Sequence, residues 1–150
     1  MNPELGQVTD RKPPFRYSAI ARVWFSDTDA QGVVYYGRYL PYFDHAGTEY
    51  HRHLGSLAIE GSEFVMRALQ VEYHAPARFD ELIECFVRVS RIGRTSITRE
   101  FAAYRLPDDE LMVTATQTSV LIDRVTRRPV PVPEQALSVV RAFEGTGLSG

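Results

Sequence analysis

A single cysteine, Cys85, is all that this chain of 150 residues offers for sulfur chemistry. No intramolecular disulfide can form, and nothing asks for an oxidising compartment. Cys85 sits in an apolar alternating stretch that suits a buried free thiol. Long hydrophobic runs are also missing: no segment approaches the roughly 20 apolar residues needed to span a bilayer. Residues 1–16 contain no apolar run either, so a cytoplasmic protein is expected. Charge of one sign is equally scarce, with a formal net charge of -2. The basic residues are scattered along the chain, which disfavours bulk nucleic-acid binding.

What the chain does have is the composition of one globular domain, 44% hydrophobic and 24% charged, with enough residues to bury its own core. Residues 1–16 are polar, carry Pro3, Pro13 and Pro14, and read as a flexible lead-in. The domain is expected over residues 17–143, with 144–150 as a C-terminal tail. Tyr17 to Phe25, YSAIARVWF, is rich in aromatic and β-branched residues and reads as a first strand. Small polar residues and glycine between Ser26 and Gly32 end it in a turn. From Tyr36 to Leu54 the residues Tyr36, Tyr39, Leu40, Phe43, Ala46, Gly47, Tyr50 and Leu54 recur at intervals of three and four. That is the period of a helix with one apolar face. His51, Arg52 and His53 suit the negative end of its dipole, and Gly55 is positioned to terminate it. Pro41 fits only in the first turn or at a kink.

Beyond the helix the pattern turns strand-like. Over 63–75 the apolar residues change parity, from Phe64, Met66 and Ala68 to Leu69, Val71 and Tyr73. A bulge, or burial of both faces, is implied. Ile83, Cys85, Val87 and Val89 alternate with Glu84, Arg88 and Ser90, and Phe86 is the one apolar residue of the second face. Residues 96–105 and 111–123 supply two more strands, with turns at Ile92-Gly93-Arg94 and Pro107-Asp108-Asp109. A short helix is expected from Pro133 to Phe143. One strand, a long helix and four further strands make an α+β domain, a five-stranded antiparallel sheet packed on one central helix.

The segment Asp27-Thr28-Asp29-Ala30-Gln31-Gly32-Val33-Val34-Tyr35-Tyr36 resembles the signature of hotdog-fold thioesterases of the 4-hydroxybenzoyl-CoA thioesterase and YbgC-like family. Tyr39-Leu40-Pro41-Tyr42-Phe43 carries the resemblance into the helix. A second block, Val71-Glu72-Tyr73-His74-Ala75-Pro76-Ala77-Arg78-Phe79-Asp80-Glu81, is similar to the strand and turn that join the family's middle strands. The resemblance covers about Tyr17 to Asp123. It departs at Tyr36, where a histidine often stands, and at Gly37-Arg38, where a small residue and asparagine are common. It implies the hotdog fold, a curved sheet wrapped around the helix, with active sites at subunit interfaces. It further implies a homo-oligomer, with a tetramer expected as a dimer of dimers, and hydrolysis of an acyl-CoA to free acid and CoA.

Thioester hydrolysis needs a group that attacks the carbonyl or activates water, and donors aimed at the oxygen that becomes negative. The resemblance casts Asp29 as nucleophile or general base and the Tyr36 backbone N–H as oxyanion donor. Backbone N–H groups at a helix start lack intrahelical partners and carry the positive end of the dipole. Gly32 would let the chain pass close to the thioester. An aspartate before a helix also serves as a turn or capping residue. The D-x-x-G-x-x-x-Y context made by Asp29, Gly32 and Tyr36 favours catalysis. Asp27 is the nearest rival, and a structural hydrogen bond would explain it. Glu49 and Asp44 lie roughly 20 and 12 Å further along the helix and read as solvated charges.

Coenzyme A carries phosphates, which arginine binds well. Arg91 and Arg94 flank the hairpin after the third strand and are the CoA-phosphate candidates, against a reading as solvated turn residues. Arg127 and Arg128 are weaker candidates. Thr95 and Ser96 suit either a hydrogen bond near the thioester or a turn. Tyr35, Tyr36, Tyr39 and Phe64 suit either an acyl pocket or core. His45, His51, His53 and His74 form no closed ligand set, and no G-x-S-x-G elbow is present. Chemistry without metal or cofactor is expected. The alternatives are a hotdog dehydratase or hydratase, disfavoured by the lack of an N-P-x-H-x-D type motif, and a non-catalytic acyl-CoA-binding sensor. Short aliphatic, long aliphatic and aromatic acyl groups all remain compatible.

Overall fold

The structure, a computed structural model, describes residues 5–56 and 58–149, so residues 1–4 of the lead-in and Gly150 of the tail lie outside it. Strands β1 (Gln7–Val8), β2 (Tyr17–Arg22), β3 (Ser62–Tyr73), β4 (Leu82–Ile92), β5 (Ser96–Leu106) and β6 (Glu110–Asp123) form one sheet. Helices α1 (Tyr39–Leu54) and α2 (Glu134–Glu144) complete the domain. The sheet is antiparallel, in the order β1-β2-β4-β5-β6-β3. This is the hotdog arrangement, with α1 packed over β2 and β4.

The sheet has six strands where five were expected. The sixth comes from the lead-in: Gln7 and Val8 pair with Ser18 and Tyr17, satisfying backbone groups that β2 would otherwise leave at an open edge. The same segment covers the outer face of β4. Phe15 packs on Phe86 with ring centroids 6.1 Å apart, and the Arg11 guanidinium forks onto Glu84, one of its bonds measuring 3.1 Å. Ser18 donates a further bond to Glu84 at 2.6 Å. Glu84 is therefore buried, although it falls on the polar parity of its strand. The C-terminal tail is also engaged, since Glu144 is buried and accepts hydrogen bonds from the Tyr50 hydroxyl and from Val89 N–H.

The inner face follows the alternation. Ile83, Cys85, Val87 and Val89 are buried against α1, which contributes Tyr39, Phe43, Ala46 and Tyr50. In β3 the change of parity is a bulge between Met66 and Ala68. It returns Leu69, Val71 and Tyr73 to the face that Phe64 and Met66 already occupy.

Helix α1 corrects two expectations. Glu49, expected in solvent, is buried beside Tyr17 and paired with Arg52. His51 is not a helix-end cation: it is buried, its Nε2 accepts from Arg99 Nε at 2.9 Å, and its Nδ1 lies 3.0 Å from Ser56 Oγ. Burial and the adjacent Arg99 charge push its pKa down to about 3, so the ring is neutral. The helix ends as the sequence implies. Gly55 has φ 76°, and the N–H groups of Gly55 and Ser56 reach back to Arg52 and His51. A Cβ at Gly55 would meet nothing within 4 Å, so Gly55→Ala tests backbone strain alone. It should lower unfolding free energy by about 1–2 kcal/mol, read by urea denaturation; an unchanged midpoint would contradict the left-handed cap.

Candidate active site

Asp29 lies in a small hairpin. Thr28 bridges Val34, Asp29 N–H donates to Val33 C=O at 2.9 Å, and Gly32 N–H donates to Asp29 C=O at 2.9 Å. The loop Ala30-Gln31-Gly32 closes with Gly32 at φ 79°, the left-handed residue that a three-residue hairpin loop requires. A Cβ there would meet only Arg78 Nη1, at 3.9 Å, so conformation, not space, demands glycine. Asp29 Oδ1 accepts the Gln31 N–H at 2.8 Å. That bond leaves the carboxylate's other oxygen without a protein partner among the described residues.

The chain then runs into a single 3-10 turn over Tyr36–Arg38, continuous with α1. The helix proper thus begins at Tyr39, three residues later than the apolar period implies, with Pro41 inside its first turn. The 3-10 turn is closed by Arg38 N–H donating to Tyr35 C=O at 2.8 Å, so the Tyr36 N–H precedes its first hydrogen bond and has no helical acceptor. Tyr73 OH donates to Tyr36 C=O at 2.8 Å, tying the turn to β3.

Asp29 and Tyr36 line one cleft of about 350 Å³, together with Val33, Val34, Tyr39, Tyr73 and His74. The cleft offers a carboxylate, a helical N-terminus and three aromatic rings, which together can hold an acyl group and polarise its carbonyl. The sequence marks Tyr73 only by its strand parity and His74 only as a discounted metal ligand, though both stand in the second family-like block. Tyr35 does not line the cleft itself: it is exposed and stacks on Tyr36 with ring centroids 4.3 Å apart.

Asp27, the rival carboxylate, is a structural residue. It is buried and accepts hydrogen bonds from Tyr42 OH at 2.6 Å, Trp24 N–H at 2.9 Å and Arg38 at 3.1 Å. Burial opposes its charge, but the donors outweigh burial and hold its pKa below the ordinary range. The bond from Tyr35 N–H to Asp27 C=O, at 2.9 Å, makes this residue the anchor of the turn carrying Tyr36.

Arg91, Arg94, Thr95 and Ser96 surround the β4–β5 hairpin, whereas the Asp29 hairpin bridges Arg78, just before β4. At about 3.3 Å per residue the length of β4 separates them by roughly 30 Å. One chain therefore does not bring these residues to Asp29. Arg91 and Arg94 are exposed, and neither forms an ion pair among the described residues. Among the described residues no group of three or more His, Cys, Asp or Glu side chains is arranged to hold a metal ion, and no helix is long and apolar enough to cross a membrane.

Comparison with known proteins matches residues 31–115 to the family model described as Thioesterase superfamily. The acyl-CoA thioester hydrolase YbgC of Escherichia coli is 33% identical over 129 residues, covering 82% of this chain and 92% of that protein. The acyl-CoA thioesterase YbgC of Haemophilus influenzae is 34% identical over 125 residues, covering 79% and 90%. A thioesterase superfamily structure from Jannaschia superposes with a TM-score of 0.81 at 25% identity, covering 89% of this chain and 86% of that one.

Proposed function

Because the chain belongs to the thioesterase superfamily, we propose that it hydrolyses acyl-CoA thioesters to the free acid and CoA, without metal or cofactor, in the cytoplasm. Asp29 acts as nucleophile or general base, and the Tyr36 backbone N–H stabilises the oxyanion. The observation carrying this reading is the meeting of the Asp29 carboxylate and the Tyr36 turn in one cleft. A carboxylate with one unengaged oxygen can attack or deprotonate, while a preorganised N–H can bind charge as it develops. Release of thiol from a panel of acyl-CoAs tests it. A sensor would bind without releasing CoA, and a hydratase would convert an enoyl-CoA with its thioester intact.

The working unit is a homo-oligomer, a dimer of dimers. The edge strand β3 leaves Met66, Leu69 and Tyr73 exposed, an apolar surface that a second copy can cover. In such an assembly Arg91 and Arg94 of one subunit bind the CoA phosphates at the Asp29 cleft of another, with Thr95, Ser96 and Tyr35 near the same substrate. Complementation tests the shared site. Subunits carrying Asp29→Asn, mixed with subunits carrying Arg91→Ala and Arg94→Ala, should form hybrids whose activity exceeds that of either parent at low acyl-CoA. Absence of any gain, with light scattering confirming mixed oligomers, would assign the arginines to another task.

A further inference from the structure

Two clefts lie between α1 and β3, and they differ in character. Residues directly opposite in neighbouring antiparallel strands project to one face, so the inner face is built of cross-sheet rows. Phe101, Ala115 and Val71 form an apolar row, and Arg99, Gln117 and Leu69 form the next. Arg99 and Gln117 are each only 8% exposed, among the least solvated polar side chains of the protein. The Tyr73–Val113 row, at the Asp29 cleft, lies four residues away along β6, about 13 Å.

Arg99 is buried without a salt bridge: no carboxylate contacts it among the described residues, and Asp44 acts on it only through space. Its Nε donates to neutral His51, its Nη1 reaches Ser119 Oγ at 3.4 Å, and its guanidinium stands 5.7 Å from the Phe64 ring centroid. Nη2 makes no hydrogen bond to the described residues. Burial lowers its pKa to about 10, partly offset by Tyr50 and Asp44, so it is cationic at neutral pH. The Gln117 amide has no side-chain hydrogen bond among the described residues either. No fully enclosed polar side-chain atom there lacks a partner, so the free groups of Arg99 and Gln117 must open on accessible space. That space is a second cleft of about 350 Å³, which Arg99, Gln117, Ser119 and Thr48 line together with apolar side chains. Asp44 also lines it, from an exposed helix turn and without bonding Arg99.

A buried cation without a salt bridge is costly, whereas a carboxylate delivered to it gains charge-assisted hydrogen bonds in a water-poor site. We propose that this second cleft receives a terminal carboxylate on the acyl group, so that the enzyme prefers ω-carboxyacyl thioesters to unsubstituted ones. Arg99 and Gln117 are the specificity-determining residues. The inference rests on the thioesterase reading and narrows its substrate.

The test compares ω-carboxyacyl-CoA with unsubstituted acyl-CoA of matched length, spanning about 13 Å. Wild type should favour the carboxylated member by roughly tenfold or more in kcat/KM, because buried polar groups left unpaired penalise the analogue lacking the charge. Arg99→Met should collapse that ratio towards one, Gln117→Leu should reduce it, and Arg99→Lys should restore part of it. Calorimetry with the free dicarboxylate of the same length reads the cleft independently of turnover, with binding expected in wild type and lost in Arg99→Met. If neither thioester is cleaved but the dicarboxylate binds, the hydrolase reading fails and the cleft assignment survives. The inference is overturned if wild type shows no preference for the carboxylated thioester, if the dicarboxylate does not bind wild type, or if Gln117→Leu, which leaves the buried charge in place, keeps the full preference. Dissociation of the oligomer in Arg99→Met would also overturn it, identifying the counter-ion as a carboxylate of a second copy.

Discussion

Asp29→Asn should lower kcat by roughly 10²–10⁴-fold, the scale expected when a positioned acid/base group is lost. The substitution is chosen to leave the hairpin untouched. Asparagine's amide oxygen can accept the Gln31 N–H that Asp29 Oδ1 now accepts at 2.8 Å, and asparagine is at home in such turns. A residue that only shapes the turn would therefore be replaced at no more than about 1–2 kcal/mol of stability and little change in rate. Thiol release, melting temperature and affinity for a non-hydrolysable thioester analogue should be measured together. A folded variant that keeps more than about a tenth of wild-type kcat would sink the assignment.

Asp27→Ala should show the complementary result, a large effect on stability. The change strands the Trp24 N–H and the hydroxyl of Tyr42, a side chain only 7% exposed. At about 1–3 kcal/mol for the unsatisfied buried hydroxyl of Tyr42, with less from the N–H of the largely exposed Trp24, the loss should be ~2 kcal/mol. The exposed Arg38 adds little. For a domain of this size that lowers Tm by about 4–8 °C. The pH dependence identifies the cause. Folded Asp27 titrates below its unfolded value, so its contribution is complete above about pH 3.9 and is lost as pH falls through the lower folded value. The stability gap between wild type and Asp27→Ala should narrow in acid. A gap that stays constant down to pH 2 would mean that packing, not the carboxylate's bonds, is responsible.

The elements legible in the sequence are those whose period survives in one segment. Helix α1 and the β3 bulge follow from spacing, and both hairpin turns and α2 from turn-forming and helix-start residues. Asp29, Gly32 and Tyr36 come instead from the resemblance to a family signature, and the structure sets Asp29 and Tyr36 beside one cleft. What alternation cannot register is cover supplied from far along the chain. Glu84 lies on a polar parity yet is buried because Arg11, 73 residues earlier, closes over it. Glu49 and His51 sit on helix positions that look solvated until β2 and β5 are packed beside them. Gln7 and Val8 are too short a run to announce a strand, and only the unpaired edge of β2 gives them one. For Arg99 the signal was present and missed: it occupies the apolar parity of β5, between Ile97 and Phe101, where a charge has to answer to something buried.

The unequal cover on the strands sets a gradient in how cheaply each part of the molecule opens. Strand β4 is flanked by β2 and β5 and roofed on both faces, by α1 on one side and by Phe15 and Arg11 on the other. Its amides are expected to exchange only through global unfolding. Strand β3 has one neighbour, β6, and much of its apolar surface faces outward, so detaching it forfeits little of the core. In a subunit taken alone, the residues of β3 from Tyr73 to Phe64 thus open more cheaply than the central strands. Pairing of this edge with a second copy would raise the cost of opening them and leave the central strands unchanged.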